Sequence, residues 1–233
     1  MADAGDESAA FVGATGGAGT TRLTVELGAL LANDGRDVAV FDAAFATQGL
    51  ADYLPGRIDP DLTTLLTDER DTPLSAGLVD VPLDVAGRLA CCPAVAPFER
   101  LARAKSPAAA QALETRIAAA ADVFDHVLVD TPPVAANQSV AAVTATTRTT
   151  LVAPATTRGR DAVQRTTDRL VDLFDCVLDE RRCVDHQACT SLSARSRASN
   201  SPATASRNPT NGGLARSGRE RNSGWNCVPR KNG

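Results

Sequence analysis

The stretch Ala10-Phe11-Val12-Gly13-Ala14-Thr15-Gly16-Gly17-Ala18-Gly19-Thr20-Thr21 decides the fold. A short apolar run ends in glycines and passes into a helical pattern over Thr21–Asn33, which Asp34 and Gly35 close. Glycines in that setting let backbone N–H groups approach a phosphate, which also meets the positive end of the helix. A tight strand–helix turn with no ligand would use the same glycines, so the flanking sequence has to arbitrate.

Working outward, strand-like and helix-like segments alternate from residue 9 to about 175. Asp37–Asp42 is a buried strand with a carboxylate at its end, 60–67 a short helix, and Gly87–Cys92 a further strand. Pro107–Ala121 is an Ala-rich helix with proline near its start, Asp125–Asp130 a second strand ending in Asp, Thr149–Ala153 another strand, and 159–174 a helix. This alternation predicts an α/β fold, a doubly wound, mostly parallel sheet with helices on both faces.

The loop matches two family patterns. Gly13 to Gly19 fits the G-A-T-G-x-x-G string of atypical short-chain dehydrogenases. Thr15-Gly16-Gly17-Ala18-Gly19-Thr20-Thr21-Arg22 resembles the K-G-G-x-G-K-[ST]-[ST] loop of the ParA/MinD family of P-loop ATPases. Spacing favours the second: Gly19, then Gly35 ending a helix of about four turns, then Asp42 ending a strand. Phe124-Asp-His-Val-Leu-Val-Asp130-Thr-Pro-Pro133 is similar to that family's Walker-B segment, and Val140 to Asp161 to its next helix, strand and proline-containing loop, with Pro154 as the proline. An NAD(P)-dependent oxidoreductase would need a Tyr-x-x-x-Lys pair. The only tyrosine is Tyr53, and Arg57 stands four places on.

The ParA/MinD resemblance implies a P-loop NTPase-like fold that binds ATP and Mg²⁺ as a homodimer. It places Gly16, Gly17, Ala18, Gly19, Thr20 and Thr21 around the phosphates, with Thr21, Asp42 and Asp130 about the metal. Three chemical groups of the pattern are missing. Thr15 stands at the signature lysine and Thr20 at the P-loop lysine, which contacts the β- and γ-phosphates. Ala44 stands at the second Asp, which positions the attacking water in relatives. Losing the P-loop lysine removes a charge-assisted hydrogen bond of about 1.5–3 kcal/mol and positive charge from the transition state. The expectation is a diverged, partitioning- or positioning-type protein that binds nucleotide and hydrolyses it weakly or not at all. Its rival is a pseudo-ATPase acting as a protein-binding scaffold. No catalytic residue is assigned, and Arg22 is the nearest cation along the chain.

Charge divides the chain. Residues 1–176 hold 14 Lys+Arg against 24 Asp+Glu, a balance of −10, and residues 177–233 hold 10 against 4, a balance of +6. The acidic body argues against DNA as its partner, since phosphate contacts need a basic face. From Ser191 onward Leu192, Leu214, Trp225 and Val228 are the only large aliphatic or Trp/Phe residues. The segment 177–233 is therefore read as a disordered, basic, low-complexity tail: an arm that binds nucleic acid or an acidic partner, an inert tail or, the favoured reading, an out-of-frame translation of a high-GC gene. Residues 1–8 are likewise expected to be disordered. No run approaches the roughly 20 apolar residues of a membrane span, and an acidic N-terminus does not fit a secretory signal, so a cytoplasmic protein is expected. Cys91 and Cys92 read as small buried hydrophobes. Cys183-x-x-His186-x-x-Cys189 lacks a fourth zinc ligand at plausible spacing.

Overall fold

Val, Leu, Phe and Ala alternate between two apolar environments along each central strand, so each strand needs cover on both sides. In β2 (Asp37–Asp42), Val38 and Val40 join one buried cluster and Ala39 and Phe41 the other. The computed structural model, which describes residues 7–68, 72–134, 136–174, 178–184 and 189–194, supplies that cover. Helix α1 (Thr20–Asn33) lays Val25 and Ala32 on the face of Val38, Val40, Leu89 and Leu128. Helices α4 (Pro107–Ala121) and α5 (Asn137–Ala145) cover Ala39, Phe41, Val127 and Val129 with Leu113, Ile117, Ala141 and Ala142. Fully burying a Leu or Ile side chain contributes about 1.5–3 kcal/mol. Small residues let the layers approach closely: a Cβ on Gly28 of α1 would lie 2.9 Å from Leu89 Cδ1.

Besides β2, the strands are β1 (Glu7–Gly13), β3 (Val79–Asp80), β4 (Arg88–Cys92), β5 (His126–Thr131), β6 (Arg148–Val152), β7 (Leu178–Val184) and β8 (Cys189–Ala194). Their order in the sheet is β3-β4-β2-β5-β1-β6-β8-β7. The β4, β2, β5, β1 and β6 strands are parallel, whereas β3, β8 and β7 pair antiparallel to their neighbours. This is the doubly wound, mostly parallel α/β sheet expected. The chain leaves β1 toward β2 and β4, and later toward β6 on its other side. The carboxyl end of β1 therefore lies where the strand order reverses, the place where open α/β sheets bind ligands.

Local signals account for the helix ends. Gly35, at φ 83°, closes α1 with Gly35 N–H donating to Ala32 O at 3.0 Å and Arg36 N–H to Leu31 O at 3.1 Å. The side chain of Ser106 caps α4 by accepting from Ala109 N–H at 3.2 Å, with Pro107 in the first turn. Helix α2 (Leu62–Thr67) starts after Asp61, and α3 (Phe98–Ala104) follows the loop beyond β4.

Two stretches of the sheet lie outside the apolar runs that mark its other strands. Strand β1 starts at Glu7, inside the segment 1–8, since its ladder pairs Glu7 with His126. The sheet also continues past residue 176: β8 pairs with β6 from Thr149↔Leu192 to Val152↔Cys189, and β7 pairs with β8. Ladders are built from backbone N–H and C=O groups, so an edge hairpin forms without an apolar run in its sequence. Residues 1–6 and 195–233, and His186 of the Cys-x-x-His-x-x-Cys motif, lie outside the described residues.

Candidate functional site

The glycine loop spans residues 14–19 between β1 and α1. It is tied to the neighbouring strand by Ala14 N–H donating to Val152 O at 2.8 Å. Gly17 and Gly19 take φ of 70° and 83°, the left-handed region that glycine enters without a Cβ penalty. Gly13 is tight for a different reason: a Cβ there would lie 2.9 Å from Thr20 Oγ1 and 3.3 Å from Thr15 O. The Thr20 hydroxyl is thus turned back toward the end of β1. Gly16 has neither constraint. Its φ is not positive, and a Cβ on it would meet no atom within 4 Å. Nothing among the described residues requires glycine at position 16.

Thr21, in the first turn of α1, donates through Oγ1 to Asp130 Oδ2 at 2.5 Å. Asp130 lies in β5, in register with Asp42 of β2, so the two predicted carboxylates are brought together, both essentially without solvent contact. Asp42 accepts from Ala44 N–H at 3.0 Å and Leu50 N–H at 3.4 Å, and the Ala94 amide also faces it. Burial, then the charge of Asp130, pushes the Asp42 carboxyl up to about 7 despite those amides. Burial pushes Asp130 up to about 6, against the pull of the Thr21 hydroxyl. Of the predicted set, Thr21, Asp42 and Asp130 converge at the carboxyl edge of the sheet, beside the loop of Gly16 to Thr20. Arg22 does not join them: its Nε pairs with Glu26 Oε1 at 2.7 Å on the exposed side of α1.

A further polar centre escaped the sequence reading. Asp61, buried, accepts from Thr63 Oγ1 (2.7 Å), Thr64 Oγ1 (2.6 Å), Thr64 N–H (3.0 Å), Val95 N–H (2.8 Å) and Arg100 Nη1 (3.3 Å). Burial works to raise its pKa, yet these hydroxyl and amide donors together hold it below the ordinary carboxylate value. Gln48, at φ 52°, pairs both ends of its amide with the backbone of Ala96: Nε2 donates to the carbonyl at 3.2 Å and Oε1 accepts from N–H at 3.4 Å. Asp61 and Gln48 thereby fasten the loop beyond β4, whose Ala94 amide reaches Asp42. The Asp-x-Thr-Thr order of residues 61–64 is an N-cap signal that could have found Asp61; the Gln48 contact has no sequence signature.

The oxygen donors Thr21, Asp130 and Asp42 suit Mg²⁺, which takes one or two carboxylates, substrate phosphates and water rather than an all-protein cage. Among the described residues there is no group of three or more His, Cys, Asp and Glu side chains that could hold a metal ion on its own. Cys91 and Cys92 are free and buried, and burial pushes the Cys91 thiol up to about 12 and Cys92 above the normal thiol range, so neither is a ready thiolate. No described helix is long and apolar enough to cross a membrane.

No family model and no curated protein matches the sequence. Solved structures do match the fold. Apo McdA from Cyanothece is 23% identical, with a TM-score of 0.59, over 72% of this chain and 66% of that one. The septum site-determining protein MinD from Pyrococcus horikoshii, complexed with Mg-ADP, is 19% identical, with a TM-score of 0.62, over 71% and 65%. Cobyrinic acid a,c-diamide synthase from Mycobacterium smegmatis, with bound ADP and magnesium, is 24% identical, with a TM-score of 0.57, over 72% and 69%. The chain thus spans about two thirds of the length of McdA and MinD, 66% and 65%.

Proposed function

We propose, for a chain with the fold of the ParA- and MinD-type P-loop ATPases, that the loop Gly16–Thr21 holds the phosphates of ATP and that the protein is a positioning- or partitioning-type nucleotide switch with weak or absent hydrolysis. The observation that carries this reading is Gly16. Its backbone could house a side chain, and no atom of the described residues stands in the way, so the missing Cβ is best explained by a ligand that comes against the loop. The Mg-ADP of MinD and the ADP and magnesium of the synthase support the same choice of ligand.

In this reading the N–H groups of residues 16–21 and the positive end of α1 bind the phosphates. The Thr21 hydroxyl and Asp130 would hold Mg²⁺, with Asp42 acting on it through water; the ion neutralises phosphate charge when bound. Thr15, Thr20 and Ala44 leave the site without both lysines and the second acid, which is why hydrolysis is expected to be slow. A cytoplasmic homodimer follows from the same reading. The scaffold alternative draws on one observation: Asp42 is already engaged by backbone amides, a structural duty that needs no ligand.

Calorimetry of ATP binding to the full chain, with and without Mg²⁺, separates the two. Mg²⁺-dependent binding that Asp130→Asn loses supports the switch. A folded wild-type protein that binds no ATP leaves the scaffold.

A further inference from the structure

We propose that the chain associates with a second copy of itself head to tail, an apolar and cationic corner at the start of α4 seating against an apolar and acidic corner at its end. The association needs no nucleotide and goes beyond the nucleotide-binding reading above.

The first corner is built on the loop beyond β4 and on α3. Phe98 is 84% exposed and Val95 40%, and Pro97 and Ala102 are exposed as well. The backbone that presents them is anchored. Val95 N–H donates to Asp61 Oδ2 at 2.8 Å, Gln48 pairs with the backbone of Ala96, and Pro97 O accepts from Arg100 N–H at 3.0 Å and Leu101 N–H at 3.1 Å. An aromatic side chain held out on a fixed backbone loses little freedom on binding, which suits it as an interface anchor. Arg103 and Lys105 are exposed, and among the described residues no ion pair engages either. Glu99 is the one acid of α3.

The second corner lies at the other end of α4. That helix has 15 residues, with Lys105 just before its Ser106 cap and Asp122 closing it, and so spans about 22 Å. Val123 follows, 69% exposed, between the exposed acids Asp122 and Asp125. Asp37 joins them, since its N–H donates to Asp125 Oδ2 at 2.8 Å, with Arg36 the cation beside it. Strands β4, β2 and β5 run parallel, so the loop that leaves β4 and the residues that enter β5 lie at opposite edges of the sheet. One chain thereby carries both halves of a complementary pair: an exposed apolar residue with cations at one end, and an exposed apolar residue with acids at the other. The charges also run against α4. Cations precede its N-terminus and acids stand at its C-terminus, the reverse of what the macrodipole favours, and no acid in its first turn or base in its last turn offsets them. A second copy that sets Asp122 and Val123 against Lys105 and Phe98 relieves both ends and covers both apolar residues. The glycine loop follows β1, with β2 and β5 between it and β4, and belongs to neither corner.

The test is analytical ultracentrifugation of the full chain without nucleotide, from about 1 μM to about 1 mM, the range in which a small contact holds, with circular dichroism confirming that each variant is folded. The average mass of the wild type is expected to climb with concentration beyond that of a dimer, because a head-to-tail contact repeats. Phe98→Ser with Lys105→Gln, and separately Val123→Ser with Asp122→Asn, should each stay monomeric where the wild type associates. An equimolar mixture of the two double variants should form a 1:1 dimer and nothing heavier, since one intact corner of each kind remains. A wild type that stays monomeric throughout, a double variant that associates as the wild type does, or a mixture that stays monomeric overturns the proposal. So does association that appears only with ATP and Mg²⁺, which would support the nucleotide-binding reading instead.

Discussion

Asp42 and Asp130 occupy the same register position on neighbouring parallel strands, both buried, with the Thr21 hydroxyl on one and backbone amides on the other. Two carboxylates so placed hold a proton better than isolated acids do, and they rise to about 7 and about 6. A carboxyl whose folded pKa is raised contributes stability that is present in acid and lost as pH climbs through the folded value. The nucleotide-free protein should therefore melt higher at pH 5 than at pH 8. A gain of at least about 3 °C is expected, the shift that roughly 1 kcal/mol produces in a domain of this length. Asp42→Asn should flatten the profile. An unchanged slope in that variant would assign the effect to other groups.

Thr21 has one hydroxyl proton, and in this structure Asp130 receives it. Thr21→Val keeps the shape and removes the donor. It should cost about 1–3 kcal/mol of stability, because a buried carboxylate loses its partner. It should also abolish the Mg²⁺-dependent part of ATP binding while leaving any Mg²⁺-independent part in place. Titrations with and without the metal measure the two parts separately.

The parallel body was readable because its strands are short apolar runs ending in Asp42 and Asp130, and its helices carry glycine and serine–proline punctuation. The convergence of Thr21, Asp42 and Asp130 was readable for the same reason: each sits at an element end, and a parallel sheet gathers such ends at one edge. The β7–β8 hairpin was not, because backbone pairing leaves no apolar period in Leu178–Val184 or Cys189–Ala194. Nor was the loop beyond β4, whose anchors are side chain-to-backbone bonds from Gln48 and Asp61, 48 and 34 residues away in sequence.

Asp61 caps α2 and fixes Val95 and Arg100 at once, so truncating it leaves several donors without a partner. Asp61→Ala should cost about 2–4 kcal/mol, a lost cap added to unsatisfied buried donors. Urea denaturation measures it. Because Val95 adjoins Ala94, whose amide faces Asp42, the variant should also change the acid-to-neutral melting profile predicted above. A destabilised protein with an unaltered profile would show that the Asp61 centre is not coupled to the carboxylate pair.

Gly16 and Gly13 offer the sharpest separation of ligand loop from simple turn. A methyl on Gly13 would press on Thr20 Oγ1 and on the backbone oxygen of Thr15, whereas one on Gly16 meets open space. Gly13→Ala should therefore destabilise the fold and weaken any nucleotide binding with it. Gly16→Ala should leave stability unchanged or raise it by about 0.4–1 kcal/mol, since alanine narrows the unfolded ensemble at a compatible backbone position. Its ATP affinity should nonetheless fall about tenfold, because the methyl stands where a phosphate must approach the N–H groups to be held by charge-assisted hydrogen bonds. Thermal melting and calorimetry on the same samples measure both quantities. A Gly16→Ala protein that is stable and binds ATP as the wild type does would mean that the ligand does not come against position 16, and the loop would then be no more than the turn that joins β1 to α1.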